Sequence, residues 1–294
     1  MFKIKEAKQL TELIYEMVVV APNVAKRCQP GQFLIVRIDE IGERIPLTIC
    51  DYNREEGTVT IVFQIVGAGT ERMSALKTGD FFADVVGPLG QPSEFVEMDI
   101  EELKKMNILF VAGGVGTAPV YPQVKWLHER GIAADVIVGA KSKEILILED
   151  EMKAVAGNLY ITTDDGSYVR KGLVTDVIKD LVESGNKYDR CVAIGPMIMM
   201  KFACMTTKAL NIPTIVSLNP IMVDGTGMCG ACRVQIDDEI KFACVDGPEF
   251  DGHKIDFDAC MKRSQMYKTQ EGRALLKIKE GATHRPANHD HDHE

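Results

Sequence analysis

The sequence predicts three units in series: an antiparallel β-barrel, an α/β domain with a parallel sheet, and a small C-terminal module that carries cysteines. Three observations predict this order. Short β-branched and aromatic runs fill the first hundred residues, strand and helix patterns then alternate, and three cysteines cluster near the C-terminus. We therefore divide the chain into 1–98, 99–218 and 219–272, and assign 273–294 to a polar, His-rich tail that we expect to be disordered.

Composition excludes several classes of protein. The 294 residues are 46% hydrophobic, enough for two or three cores, and carry a net charge of −9. The net negative charge argues against nucleic-acid binding, which needs clustered Lys and Arg. No apolar run approaches the roughly 18–20 residues that span a bilayer. The charged N-terminus is not a signal peptide. We therefore expect a cytoplasmic protein with no nucleic-acid or membrane partner, and the C-x2-C pair among its eight cysteines favours metal or redox chemistry over disulfides.

The barrel is predicted from three strand-like runs, 13–22, 31–38 and 57–66, which Pro and Gly turns separate. A Gly/Pro-rich loop, 85–95, is expected to close this unit. In the α/β domain, strand patterns alternate with helix patterns, which is typical of a parallel sheet. The predicted strands are 107–114, 133–140, 158–167, 188–196 and 213–218. The predicted helices are 115–131, 143–156, 172–185 and 197–211.

The barrel contains a candidate flavin site. Arg44 stands just before a Pro-Leu-Thr segment, and Gly69 and Thr70 form a Gly-Thr turn. An Arg, a hydroxyl and such a turn could hold the phosphates and ribityl chain of a flavin. An ordinary β-turn with a surface Arg would look the same.

A candidate dinucleotide site lies in the α/β domain. Gly113, Gly114 and Gly116 separate a buried strand from a helix, where small residues let a phosphate approach backbone N–H groups. A tight turn without a ligand remains the alternative. Gly195 and Pro196, followed by Met197, end a later strand at the same edge of this Rossmann-like sheet, where ligands bind.

The cysteine module contains a candidate metal site. Cys229 and Cys232 form a C-x2-C pair, and Cys244 follows. The plant-type iron–sulfur spacing places the fourth ligand at Asp224, a harder but anionic ligand. Zinc, with three thiolates and one hard ligand, is the alternative; the nearest His, His253, lies nine residues past Cys244.

The order of the three units resembles the ferredoxin–NADP reductase superfamily, in the branch that includes the electron-transfer subunit of dihydroorotate dehydrogenase. The resemblance covers about residues 1–270. It implies FAD contacts at Ile45, Pro46, Leu47, Thr48, Val62, Phe63, Gln64, Gly69 and Thr70. It implies pyridine-nucleotide contacts at Gly113, Gly114, Gly116 and Thr117, and contacts beside the nicotinamide at Asp165, Gly166 and Ser167. Arg44 stands one place earlier than the Arg of that family.

Asp224 stands at the position where those electron-transfer subunits have a Cys as the first ligand of the iron–sulfur cluster. Together with RIPLTICDY and DGTGMCGACR, it resembles the small subunit of the NADH-dependent reduced ferredoxin:NADP oxidoreductase, a sulfide dehydrogenase-like subunit. This resemblance implies FAD, one [2Fe–2S] cluster and NAD(H). It also implies a heterodimer with a larger subunit that carries a second flavin and [4Fe–4S] clusters. Ferredoxin and NADP(H) would react through this electron-bifurcating complex.

The implied chemistry is hydride exchange between NAD(H) and FAD, followed by single-electron transfer through the cluster to the partner. Three alternatives stay open: an electron-transfer subunit of dihydroorotate dehydrogenase, a sulfide or polysulfide reductase subunit, and a zinc-bearing nucleotide-binding module without redox activity. Lys141, Ser142 and Lys143 could also meet a 2′-phosphate and favour NADP(H), whereas the resemblance favours NAD(H).

Overall fold

The computed structural model describes residues 1–280, and it confirms the predicted fold class. The first unit is a near-closed antiparallel barrel of seven strands, β1 Phe2–Gln9, β2 Ile14–Val20, β3 Phe33–Arg37, β4 Ile45–Asn53, β5 Thr58–Gln64, β6 Phe81–Phe82 and β7 Asp84–Leu89. The strands run in the order β6-β1-β2-β5-β4-β3-β7. Two short helices accompany them, α1 Pro22–Arg27 and α2 Ala68–Ser74.

Four strands of the barrel differ from the sequence prediction. β1, β4 and β6 were not predicted as strands, and β7 takes up half of the segment 85–95 that we expected to be a loop. β1 is rich in charged residues, and Ile4 is its one buried residue, so it carries little apolar signal. Pairing with β2 and β6 on its two sides nevertheless fixes it as a strand.

The second unit is a parallel sheet covered by helices on both faces. Its strands are β8 Ile108–Gly113, β9 Asp135–Ala140, β10 Asn158–Thr163, β11 Arg190–Ile194 and β12 Thr214–Ser217. They run in the order β10-β9-β8-β11-β12. The helices are α3 Ile100–Leu103, α4 Thr117–His128, α5 Glu149–Val155, α6 Val174–Glu183 and α7 Met197–Ala209.

One predicted helix of this unit, 143–156, is wrong in its first half. Residues 143–145 form a single 3₁₀ turn, and α5 begins only at Glu149. Leu148, directly before it, has a left-handed backbone with φ 55°. Ile147 and Leu148 are buried in an apolar cluster with Ile14 and Cys50 of the barrel. Burial between two units, rather than helix propensity, therefore decides the conformation here.

The third unit is a hairpin, an edge strand and two helices. Its elements are β13 Arg233–Ile236, β14 Glu239–Phe242, β15 Glu249–Asp251, α8 Phe257–Arg263 and α9 Lys268–Lys279. β15 pairs antiparallel with β12 and so extends the sheet of the second unit. Residues 273–279, assigned to the polar tail from the sequence, continue α9, whereas 281–294 lie outside the described residues.

The units pack through shared contacts. Lys125 of α4 donates from Nζ to both carboxylate oxygens of Asp51 in β4, at 2.8 Å each. Phe33 and Ile35 of β3 belong to a core that also includes Cys232 and Cys244. Barrel, sheet and cysteine module therefore hold one another in place. Within residues 1–280, no helix is both long and apolar enough to cross a membrane.

Candidate functional site

The predicted flavin segments come together at one end of the barrel. β4 and β5 pair from Asn53–Thr58 to Ile49–Ile61, so residues 45–48 and 62–64 both continue beyond the same end of this pairing. The turn into α2 joins them, because a Cβ added at Gly69 would come within 3.0 Å of Ile45 Cδ1. The four residues 45–48 are all half-buried, which leaves apolar surface for a ligand to cover.

Several side chains in these segments already have structural roles. Val62 is buried between the first two units, and Phe63 stacks on Tyr15 with ring centroids 5.8 Å apart. The Thr70 hydroxyl accepts from the Val66 N–H at 2.9 Å and shapes the turn. At Val62 and Phe63, a flavin contact would therefore involve the backbone.

Arg44 has a partner that the sequence did not predict. Its Nη2 donates to the backbone carbonyl of Asp224 at 3.1 Å, and Nη1 lies 3.9 Å from Asp84 Oδ2. Its Nε is buried and has no hydrogen-bond partner among residues 1–280. A charged donor left unsatisfied beside the flavin segments fits an anionic ligand.

The glycine turn after β8 packs against the loop after β11. A Cβ at Gly113 would overlap the Met199 sulfur, and one at Gly116 would overlap the Ile194 carbonyl oxygen. Packing alone therefore requires glycine at 116, where the contact is with backbone, whereas at 113 the Met199 side chain would have to move. Gly114 differs, because the space beside it is open and its φ is +55°. The Thr117 hydroxyl donates to the Gly114 carbonyl at 2.9 Å, so the open face of the turn is held in place.

The nucleotide turn and the flavin segments meet between the units. β5 contacts the turn at 114–116, and α4, which begins at Thr117, contacts β4. Gly195 and Pro196 lie against Gly113, as the shared sheet edge predicted, and Met197 begins α7. A nucleotide on this turn would therefore lie beside a flavin on the barrel.

The structure places Asp165, Gly166 and Ser167 away from that turn. They follow β10, the outer strand, which is two strands from β8. Ser167 Oγ accepts from the Lys143 N–H at 2.8 Å, so these residues form one surface with residues 141–144. Hydrogen bonds from Ser167 lower the pKa of the Asp165 carboxyl, and a hydrogen bond from Ser142 lowers that of Glu144. The surface is therefore not simply basic.

The β13–β14 hairpin brings two candidate metal ligands together. Cys232 precedes β13 and Cys244 follows β14, and the Ala243 N–H donates to the Cys232 carbonyl at 3.1 Å. Both thiols are buried. Burial, followed by a hydrogen bond with Cys232, raises the pKa of Cys244 to about 11. A cationic centre would reverse this effect, because metals bind thiolates.

Asp224 and Cys229 complete the set from the preceding loop. The Asp224 carboxylate accepts hydrogen bonds from the Thr226 hydroxyl and from its N–H, the latter at 2.9 Å, and these bonds lower its pKa. Cys229 is exposed, and backbone N–H groups, first that of Ala231, lower its pKa. Anionic ligands with N–H groups directed at sulfur fit an iron–sulfur cluster.

A single-ion site is not formed by these side chains. Across residues 1–280, no three His, Cys, Asp or Glu side chains lie close enough to hold one metal ion. A two-iron cluster differs, because its ligands are shared between two metal atoms. His253 is the histidine nearest to Cys244 in the sequence. Its Nε2 lies 3.1 Å from the Thr207 hydroxyl oxygen. The other five cysteines are buried, and burial raises their pKa.

A buried carboxylate that was not predicted from the sequence lies where the units join. Glu249 Oε1 accepts from Gln123 Nε2 at 2.6 Å, and the Ser93 hydroxyl donates to Gln123 Oε1 at 3.0 Å. Burial raises the pKa of Glu249 to about 7. The three residues come from the linker after β7, from α4 and from β15. No local pattern could have indicated a contact among them.

A barrel, a parallel nucleotide-type sheet and a cysteine module in this order define a ferredoxin–NADP reductase-like fold with an appended iron–sulfur module. The sequence pattern of the iron–sulfur cluster binding domain of dihydroorotate dehydrogenase B matches residues 219–256. A Thermotoga maritima protein, a homolog of the dihydroorotate dehydrogenase B (NAD(+)) electron transfer subunit, is 46% identical over 91% of this chain and 92% of its own. The chain therefore belongs to the family of dihydroorotate dehydrogenase B electron-transfer subunits and their homologues.

Two further similarities refine this placement. A Clostridium beijerinckii protein, named for its position in the adh 3′ region, is 63% identical over 97% of this chain and 96% of its own. A chain of the NADH-dependent reduced ferredoxin-NADP oxidoreductase, whose structure was solved for insights into flavin-based electron bifurcation, superposes with a TM-score of 0.87. It is 42% identical and covers 94% of this chain and 97% of its own. The resemblance predicted from the sequence is confirmed, and the chain is an electron-transfer subunit of oxidoreductase type that binds an iron–sulfur cluster.

Proposed function

We propose that this chain is the NAD(H)-reactive subunit of an electron-bifurcating, NADH-dependent ferredoxin:NADP oxidoreductase of the cytoplasm. Its partner would be a larger subunit with a second flavin and [4Fe–4S] clusters, through which ferredoxin and NADP(H) react. One observation carries the proposal: the loop with Asp224 and Cys229 is hydrogen-bonded to Arg44, at the start of the flavin segments. The similarity to the reduced ferredoxin-NADP oxidoreductase supports the same function.

Each group has residues suited to hold it. FAD would lie on residues 45–48, 62–64 and 69–70, beside Arg44, and NAD(H) on the turn 113–117 and the loop 195–197. A [2Fe–2S] cluster would be held by Asp224, Cys229, Cys232 and Cys244. When bound, the flavin supplies the exchange between two-electron hydride transfer and single-electron transfer to the cluster. The chain itself positions these groups, because contacts of β5 and α4 bring the nucleotide turn against the flavin segments.

We propose NAD(H) rather than NADP(H) as the nucleotide. Lys141 and Lys143 are exposed beside the β10 loop, but the carboxylates of Asp165 and Glu144 share that surface and have lowered pKa values. Negative charge there would repel a 2′-phosphate. We expect the purified complex to bind NADH more tightly than NADPH at this subunit. Equal affinities in a titration of flavin fluorescence would refute this preference.

An electron-transfer subunit of dihydroorotate dehydrogenase is the second candidate. The match to the iron–sulfur domain of that enzyme at residues 219–256 favours it. The two candidates predict different partners, a flavin and [4Fe–4S] subunit or an FMN dehydrogenase. Asp224, in place of the cysteine expected for the second candidate, favours the first.

The test is to purify the chain with its native partner and to count flavin, iron and acid-labile sulfide. We expect one FAD and two irons with two sulfides on this chain, and further flavin and iron on the partner. Activity with dihydroorotate would establish the second candidate. A colourless protein with zinc and without flavin would contradict both.

A further inference from the structure

The cluster loop is held from outside at both of its ends. We define this loop as residues 224–231, which contain Asp224 and Cys229 but no helix or strand. At its start, Arg44 Nη2 donates to the Asp224 carbonyl at 3.1 Å. At its end, Arg263 Nη2 of α8 donates to the Ala231 carbonyl at 3.0 Å. Hydrogen bonds from charged donors are stronger than those between neutral groups. These two bonds therefore help to fix the position of the loop.

The contact at Arg44 is backed by packing against the barrel. Gly225 has φ +81°, and the place of its absent Cβ is filled by Ile35 Cδ1 of β3. The backbone therefore lies directly on the barrel at the residue that follows Asp224. Asp84, 3.9 Å from Arg44 Nη1, restrains the guanidinium from the barrel side.

We propose that Arg44 is a positioning residue of the iron–sulfur cluster: it holds the backbone of the carboxylate ligand Asp224 and places a positive charge beside the cluster. This inference deepens the proposed function and rests on it. Holding the backbone would limit where the Asp224 carboxylate can lie relative to the other proposed ligands. The charge favours the added electron, so it raises the reduction potential of the cluster. Because Arg44 also begins the flavin segments, one side chain joins both redox sites.

The test compares three variants of the full chain with its partner. In Arg44→Ala, we expect the cluster to lose iron to a chelator about tenfold faster, the factor expected for one lost hydrogen bond from a charged group. The midpoint potential of the cluster should fall, and the EPR spectrum of its reduced form should change. Arg44→Lys keeps the charge without the planar fork, so we expect a potential near wild type together with faster iron loss.

Arg37→Ala is the matched control, because Arg37 is also a barrel arginine but donates to the local Glu40 carbonyl at 3.4 Å. It should leave all three cluster measurements unchanged. If both Arg44 variants change FAD content alone, with wild-type iron loss, potential and EPR spectrum, the inference is wrong. If wild-type protein contains no iron or sulfide, the proposed function fails instead. Should Arg44→Ala not fold, the iron loss of Arg44→Lys decides.

Discussion

At the scale of single residues, the proposed fourth ligand Asp224 would determine what the cysteine module can bind. Three cysteines leave a cluster one ligand short, and the loop offers a carboxylate whose pKa is lowered by hydrogen bonds from Thr226. A carboxylate is harder than a thiolate and donates less electron density to iron. Replacing it should therefore change the properties of the cluster without changing the fold.

We predict opposite results for two substitutions at this position. Asp224→Cys should keep the cluster and lower its potential, because a fourth thiolate stabilises oxidised iron. Asp224→Ala should lower the affinity for the cluster by more than about 100-fold, since outer-shell changes already cost about 10–100-fold. Iron and sulfide analysis and EPR measure both. Asp238→Ala, in the exposed turn of the hairpin, is the control. Wild-type content in Asp224→Ala would place the fourth ligand elsewhere.

Not every residue of the site could be predicted from the sequence. The proposed ligands could be named from spacing, because they lie in one short segment in which a hairpin holds Cys232 and Cys244 side by side. The bond from Arg44 to Asp224 does not, since it joins positions 180 residues apart. Contacts of that kind depend on how the units pack, and hydrophobic patterns carry no information about them.

At the scale of elements, packing against the end of β11 constrains the turn between β8 and α4. The carbonyl of Ile194 occupies the place of a side chain at Gly116. The strands and helices around this turn were predicted because buried parallel strands form continuous apolar runs. The helix 143–156 was mispredicted because Ile147 and Leu148 are apolar for another reason, their burial against the barrel.

We predict that Gly116→Ala destabilises the protein by about 1–3 kcal/mol, the usual range for overpacking, since the added methyl must push β11 away from the turn. Nucleotide binding should weaken with it. Gly272→Ala is the control, because Gly272 lies within α9 with open space around it. That change should be neutral or stabilise by about 0.5–1 kcal/mol. Urea unfolding measures both, and equal midpoints for the two variants would contradict the packing argument.

At the scale of the whole molecule, the three units meet at a buried hydrogen-bonded group. Ser93 belongs to the linker between barrel and sheet, Gln123 to α4 and Glu249 to the strand by which the cysteine module joins the sheet. Glu249 Oε2 is buried and, within the described part of the chain, has no hydrogen-bond partner. A carboxyl in such a place is more easily accommodated when protonated.

The packing of the units should therefore depend on pH through Glu249. Burial raises the pKa of this carboxyl to about 7 from 4.5, so the folded protein holds its proton more tightly than the unfolded chain. The stability that this bound proton contributes to the folded protein is fully present below about pH 4.5 and is lost as the pH rises through about 7. Glu249→Gln keeps the shape and the acceptor for Gln123 without the charge. We predict that it gains on the order of 2–3 kcal/mol over wild type between pH 5 and pH 8.

Urea unfolding midpoints at several pH values measure this difference directly. Glu239→Gln is the control, because Glu239 is exposed and Lys241 lowers its pKa. Removing its charge should give no stabilisation that grows with pH. A difference between Glu249→Gln and wild type that stays constant from pH 5 to pH 8 would mean that Glu249 does not hold a proton in the folded protein. The junction of the three units would then contain a buried negative charge, and the hydrogen bond from Gln123 would have to stabilise it.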